Sequence, residues 1–453
     1  MLKKLIAGLL TRKSTLTSGS IASVPPYSQS IIKWWKIPNR ARKDGKSRLL
    51  LFALLSSGLG VLLLGIFSIG VYYDISIPGQ APTSNLTAIL EPTELDNILK
   101  GSKQWNLGFD SDPLVATPAE HEGILYVIAG RTNDSGRLLA LDALDGSSIW
   151  NRDLFGVSDY SPVVAGDLVF AVLRSGEVFG LNRFTGNLIW SFQADSYTHG
   201  PAVVKNGVLY LASTMIYALD AHSGELRWSR KVKGNVNSHL AISDGALAVM
   251  SFEGDLNLMS LKHGNHRLTY PVWFGTYPKP LAHNGTLVLA GNNASVIAID
   301  MSVRELPFER IIKSIWATLW MWDMAPRPGS PKGYLWHNTK LQGVRAYPVA
   351  ADDNSAYVGI RHADASGTIV ALDINNGNTE WIKHFDSALT TSAAFVDDFL
   401  LISTRSGGLH LIDKYSGESL WNFEIGSKLE TAPALGINGI VAVTTGGKII
   451  AIR

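Results

Sequence analysis

The sequence predicts an all-β chain, an eight-bladed β-propeller of four-stranded antiparallel blades, preceded by an N-terminal transmembrane helix. Three observations carry this reading. Tryptophans recur at Trp105, Trp150, Trp190 and Trp228, spaced 45, 40 and 38 residues apart, and again at Trp381 and Trp421, 40 apart. Eight two-residue turns punctuate the same stretch at a similar interval. A run of 25 uncharged, mostly apolar residues, 49–73, stands ahead of both. A period near 40 with several short strands per unit is the signature of a propeller array.

The repeat unit is clearest in GRLLALDALDGSSIW, residues 136–150. It returns as GEVFGLNRFTGNLIW at 176–190, IYALDAHSGELRW at 216–228, GTIVALDINNGNTEW at 367–381 and GGLHLIDKYSGESLW at 407–421. Weaker copies at 254–268 and 296–308 place Leu268 and Phe308 where the tryptophan is missing. Within a unit, the aspartate closing the third strand (Asp142, Asp220, Asp300, Asp373, Asp413) can accept hydrogen bonds from the turn backbone. The glycine after it (Gly146, Gly186, Gly224, Gly264, Gly377, Gly417) supplies a left-handed residue. The tryptophan offers a large apolar ring and one N–H, suited to wedging between neighbouring sheets.

Between units lies a first strand, usually opened by proline: Pro118, Pro162, Pro201, Pro280, Pro348 and Pro433. At the start of a strand, proline costs no ladder hydrogen bond. A two-residue turn then leads to the second strand. The eight turns are Glu122-Gly123, Gly166-Asp167, Asn206-Gly207, Asp244-Gly245, Asn284-Gly285, Asp353-Asn354, Asp397-Asp398 and Asn438-Gly439. The array ends on a third strand, GGKIIAIR, while KQWNLGF at 103–109 is a fourth strand with no partner before it. Pairing the two would complete the last blade and leave no open sheet edge.

Composition and charge bound the rest. The 453 residues are 46% hydrophobic, include no cysteine and carry a net charge of +2. Without cysteine there is no disulfide framework and no thiolate metal site. Residues 1–48 hold eleven Lys or Arg against one acid, Asp44, so the remainder has 29 basic and 37 acidic residues, a balance of −8. A body of that sign is not a nucleic-acid binder. As a helix, residues 49–73 would span about 37 Å, enough for a hydrocarbon core of about 30 Å. The basic segment 1–48 then stays cytoplasmic, which places the propeller outside the cytoplasmic membrane, in the periplasm or extracellular space. Both the 48-residue leader and the apolar run are too long for a cleaved signal peptide. Residues 74–102, with Pro78, Pro82 and Pro92, form a tether to the propeller at 103–453.

No catalytic constellation emerges. Asp352-Asp353 and Asp397-Asp398 fall in turn slots, and His263 and His266 lie in a third-to-fourth-strand turn without further ligands. One segment breaks the repeat. From a tryptophan slot to the next proline takes 11 to 13 residues elsewhere, but Phe308 to Pro348 takes 40. The insertion, about 309–345, places Ile312, Ile315, Trp316, Leu319 and Trp322 at helical spacing, so a helix ending near Pro326 is expected. Trp316, Trp320, Met321, Trp322 and Trp336 are the candidate contact residues for a protein partner or membrane. The alternative is a plug burying its tryptophans over the propeller mouth.

The ALDxxxGxxxW units resemble the repeats of the pyrroloquinoline-quinone (PQQ)-type β-propeller superfamily over residues 103–453. That superfamily includes quinoprotein alcohol dehydrogenases and outer-membrane assembly propellers of the BamB type. The assembly branch, close in size, implies a non-catalytic scaffold with envelope or membrane protein partners and no cofactor. The dehydrogenase branch implies PQQ with calcium, a catalytic Asp and a vicinal cysteine pair, and this chain has no cysteine. A third expectation is a sensor that binds a ligand in the channel and signals through the helix.

Overall fold

A computed structural model describes residues 103–452 except 109–115, 130–135, 273–274, 276–278, 307, 327–331, 391, 430 and 437–438. The segments 1–48, 49–73 and 74–102, with the expected transmembrane helix and tether, lie outside the described residues. Among the described residues no helix is long and apolar enough to cross a membrane.

The described strands form eight four-stranded sheets, all neighbours antiparallel and, in seven of them, paired in chain order. The first blade is typical: an inner strand Ala119–His121, then Ile124–Ala129, Gly136–Asp142 and an outer strand Ser148–Leu154. The second strands are packed on both faces by adjacent blades. They therefore read as unbroken apolar runs, such as Leu168–Val172 and Ala246–Met250, every residue of which is buried. Outer strands alternate, as in Leu188–Gln193 with Trp190 its one buried residue. The core is accordingly divided into layers between blades. One such cluster joins Phe170 and Val172 of the second blade to Leu209 and Leu211 of the third.

Turn chemistry sets the inner hairpins. Asn206 and Gly207 have φ of 52° and 71°, and Asp244 and Gly245 have 44° and 69°. Two consecutive positive values define the hairpin turn whose twist matches the strands. Pro118, Pro162, Pro280 and Pro433 stand immediately before inner strands, and Pro201 two residues before. Pro348 departs from the expected place. It lies inside Arg345–Ala351, where the pairing register shifts between Pro348 and Ala350, a bulge that absorbs the missing N–H.

The ring closes through the first and last strands of the propeller. The strand Lys103–Gly108 pairs antiparallel with Lys448–Ile452, Trp105 opposite Ala451 and Leu107 opposite Ile449. It thus supplies the outer strand of the eighth blade.

Successive blades are joined by one repeated contact. Five of the slot tryptophans donate Nε1–H to a carbonyl of the following blade, at the residue after the aspartate slot. The distances are 3.2 Å for Trp105 to Ala143, 2.8 Å for Trp150 to Arg183, 3.0 Å for Trp190 to Ala221, 3.1 Å for Trp228 to Leu261 and 2.9 Å for Trp381 to Lys414. The indole lies on the next blade's turn glycine so closely that a Cβ on Gly146, Gly186, Gly224, Gly264 or Gly417 would fall 2.6–2.8 Å from the ring. The turn is held in shape by its aspartate. Asp142, Asp220, Asp300, Asp373 and Asp413 each accept a backbone N–H two residues on, at 2.7–3.0 Å.

In the fifth blade the structure corrects the sequence reading. The slot belongs to Trp336, not Phe308. Trp336 pairs with Ala298, is 5% exposed, donates to Ile374 O at 2.7 Å and lies over Gly377. It is a wedge and not a contact residue of the insertion. Leu268 does occupy the slot in the fourth blade, opposite Leu258. There the neighbouring Arg267 sends Nη1 to Met301 O at 3.4 Å, replacing the lost indole donor.

Two glycines separate the wedge from the turn. Gly207 and Gly377 share φ of +71°, but a Cβ on Gly207 meets nothing within 4 Å while one on Gly377 meets Trp336 at 2.4 Å. Gly207→Ala should cost about 1 kcal/mol, the left-handed penalty alone. Gly377→Ala should cost about 1–3 kcal/mol more through overpacking, read as the difference in denaturant-unfolding free energy.

Candidate functional site

The ring has two distinct faces. Turns between first and second strands and between third and fourth strands share one face, the turn face. Loops passing from one blade to the next lie on the other, the loop face. Each face carries one feature beyond the repeat.

On the turn face, the insertion leaves the fifth blade after Asp300 and returns at Gly333, pinched by an Asp300 N–H bond to Gly333 O of 2.8 Å. An ordinary blade makes the same closure, Asp220 N to Glu225 O at 2.8 Å. The extra residues therefore sit within a blade, between its third strand and the outer strand Tyr334–Asn338, and not between blades as the sequence spacing suggested. They form one helix, Glu309–Met321, here α1. Glu309 Oε2 accepts from Leu306 N–H at 2.7 Å and meets Lys332 Nζ at 3.2 Å, tying both ends of the loop together. Trp316 Nε1–H donates to Pro326 O at 2.9 Å.

This helix exposes its apolar residues. Trp316 and Trp320 are each 42% exposed, Met321 60% and Trp322 66%, with Ile311, Ile312, Ile315 and Met324 also open. The half-buried positions include Ser314, Ala317 and Thr318. No described side chain of α1 is buried, so the tryptophans do not form the plug that the sequence left open.

On the loop face, residues just before the inner strands gather titratable groups that sequence reading missed. Lys279 Nζ donates to Ser392 Oγ, reaching from the fifth blade past the sixth to the seventh. Burial pushes the Lys279 ammonium down to about 8. Burial and the Lys279 charge together push His239 down to about 4. The His239 ring meets Tyr160 edge-on at 6.5 Å, and the Tyr160 hydroxyl donates to Thr198 O at 2.7 Å. These residues sit in short loops of ordinary composition. Only a blade-by-blade alignment of the pre-strand positions would have brought them together. Three exposed aromatics, Phe155, Tyr197 and Phe252, also rise from this face.

The remaining candidates are structural. Asp352 accepts from Asn354 and Ser355 N–H within its own turn, and Asp353 accepts from His283 Nε2 at 2.7 Å across a blade boundary. Asp398 pairs with Lys414 at 2.8 Å. His266 Nε2 lies 2.8 Å from Thr269 Oγ1. Among the described residues, no group of three or more His, Cys, Asp or Glu is arranged to hold a metal.

Lys279 gives a pH signature. The unfolded chain holds this lysine at its ordinary value and the folded chain at about 8, so between those values the unfolded state binds more protons. Stability should then rise with pH above 8. Compared with Lys279→Met, the parent protein should gain on the order of 2 kcal/mol between pH 8 and 10 in denaturant titrations.

The comparisons with known proteins agree with this architecture. A profile described as "Outer membrane protein assembly factor BamB" matches residues 93–303 and 365–453, passing over most of the insertion. The outer membrane protein assembly factor BamB of Moranella endobia is 23% identical over 351 residues, covering 68% of this chain and 88% of that protein. The quinoprotein ethanol dehydrogenase of Pseudomonas aeruginosa is 25% identical, covering 69% of this chain but 58% of the enzyme. The crystal structure of BamB from Moraxella catarrhalis superposes with a TM-score of 0.55 at 15% identity, covering 78% of this chain and 99% of that one. With eight repeat-built blades and a profile match over well over half its length, the chain belongs to the BamB-like family of PQQ-type β-propellers.

Proposed function

We propose that this protein is a non-catalytic scaffold in a cell-envelope complex, anchored in the cytoplasmic membrane by residues 49–73 with its propeller outside. The observation that carries the reading is the match in extent. In sequence, the chain covers 88% of one assembly factor but 58% of a dehydrogenase. A ring stiffened by wedges between blades holds its loops in fixed relative positions, which is what an assembly platform requires. Its partners are envelope or membrane proteins. Exposed aromatics such as Phe155, 87% exposed, and Tyr197, 66% exposed, are the side chains that anchor protein contacts.

The dehydrogenase reading has one feature in its favour, the Lys279 and His239 group at the axial end of the inner strands. Lys279 could meet an anionic quinone there. The cysteine pair of such enzymes has no counterpart, since the chain contains no cysteine. Nor do the described residues bring together a carboxylate cluster for calcium. The residues do not fit PQQ with calcium, and no catalytic step is derived through it.

Affinity purification of the full chain from its native membranes should co-purify envelope assembly proteins, identified by mass spectrometry. Adding PQQ and calcium should leave the unfolding temperature unchanged. A rise in that temperature, or isolation of the chain without envelope proteins, would contradict the proposal.

A further inference from the structure

The geometry points to a second membrane contact: α1 lies in the headgroup interface of the bilayer and turns the propeller's turn face toward the membrane. This rests on the reading of residues 49–73 as an anchor, and four observations support it.

The first is the direction of the apolar surface. A helix on a soluble domain turns its apolar stripe to the core. Here Phe308, Ile311, Ile312, Ile315, Trp316 and Trp320 are all exposed. Tryptophan is the residue enriched at bilayer interfaces. The Trp316 N–H is already bonded to Pro326 O, so immersing that ring strands no donor.

The second is where the chain enters the ring. Lys103 pairs with Ile452, the far end of a third strand, and the insertion departs at Asp300, the same end of another third strand. The link from residues 49–73 therefore joins on the face that bears α1. Entry is at the eighth blade and α1 at the fifth, so the two lie on one face but on different blades.

The third is reach and charge. The 29 residues of 74–102 extend to roughly 100 Å at most, which leaves every face near the bilayer but fixes none. The helix Glu309–Met321 carries Arg310 and Lys313 against Glu309, whereas the chain beyond residue 48 is acidic in balance. A locally basic apolar helix suits an anionic leaflet. The fourth is that the BamB profile stops at 303 and resumes at 365, a gap that contains α1 together with three blade strands.

The absence of cysteine makes the test direct. Full-length chains carrying Ile315→Cys or, on the loop face, Phe252→Cys are labelled with an environment-sensitive fluorophore and reconstituted into vesicles of phosphatidylglycerol and phosphatidylethanolamine. The probe at 315 should shift to the blue and be quenched severalfold more by headgroup-region spin-labelled lipid than the probe at 252. Adding Ile312→Glu should abolish that difference while the chain stays in the vesicles. Equal aqueous quenching at both sites overturns the inference. So does a 315 probe shielded from iodide yet untouched by lipid quencher, which would signify a protein partner or a second copy. Extraction of the parent chain by alkaline carbonate overturns the anchor reading and this inference with it. Retention with an aqueous 315 probe overturns this inference alone.

Discussion

The seating of a tryptophan of one blade on the turn glycine of the next is the contact on which the ring depends. It combines three requirements at one point. The indole needs a neighbour without a side chain, and a glycine at φ near +70° provides it. The N–H needs an acceptor, and the carbonyl after the aspartate slot provides it. The ring also needs room on its own blade, and in five blades the residue opposite is small: Ala140, Gly180, Ala218, Ala298 and Ala371 face Trp150, Trp190, Trp228, Trp336 and Trp381, while Leu411 faces Trp421. One motif thus specifies turn shape, blade spacing and inter-blade bonding together.

That economy explains how function is distributed. The wedges occupy the outer strands and the third-to-fourth-strand turns, leaving the inter-blade loops and one enlarged turn free to vary. Lys279, His239, Phe155 and Tyr197 lie on the loop face, and α1 grows from the turn face. The insertion is tolerated because Asp300 N–H bonds Gly333 O, so the blade closes as though the extra residues were absent. Longer surface loops of this kind cost little once their ends are fixed.

The repeat carried most of the architecture in its residues. Blade number, seven of the eight turn positions, strand order and closure by the first strand follow from spacing and turn chemistry, because each unit repeats the same local physics. In the eighth blade Gly439 pairs with Gly436 and so belongs to the strand, not to the expected Asn438-Gly439 turn. The error at the fifth blade is instructive. A step of 40 residues from Leu268 leads to Phe308, yet Trp336 stands 12 residues before Pro348, within the 11 to 13 found in the other blades. An insertion breaks the count from one side only, and the spacing to the following proline preserved the correct answer. The axial Lys279 cluster left no comparable mark. It arises from side chains of different blades meeting across the ring, and no local pattern encodes a meeting of that kind.

The most direct measurement is of closure itself. With cysteines introduced in place of Asn106 and Ile450, which face each other in the final blade, a short bifunctional thiol-reactive linker or mild oxidation should join the folded chain into a covalent loop. It would migrate faster on non-reducing gels than the single-cysteine variants. Failure to join under native conditions, with the double variant folded by circular dichroism, would contradict a ring sealed by its own two ends.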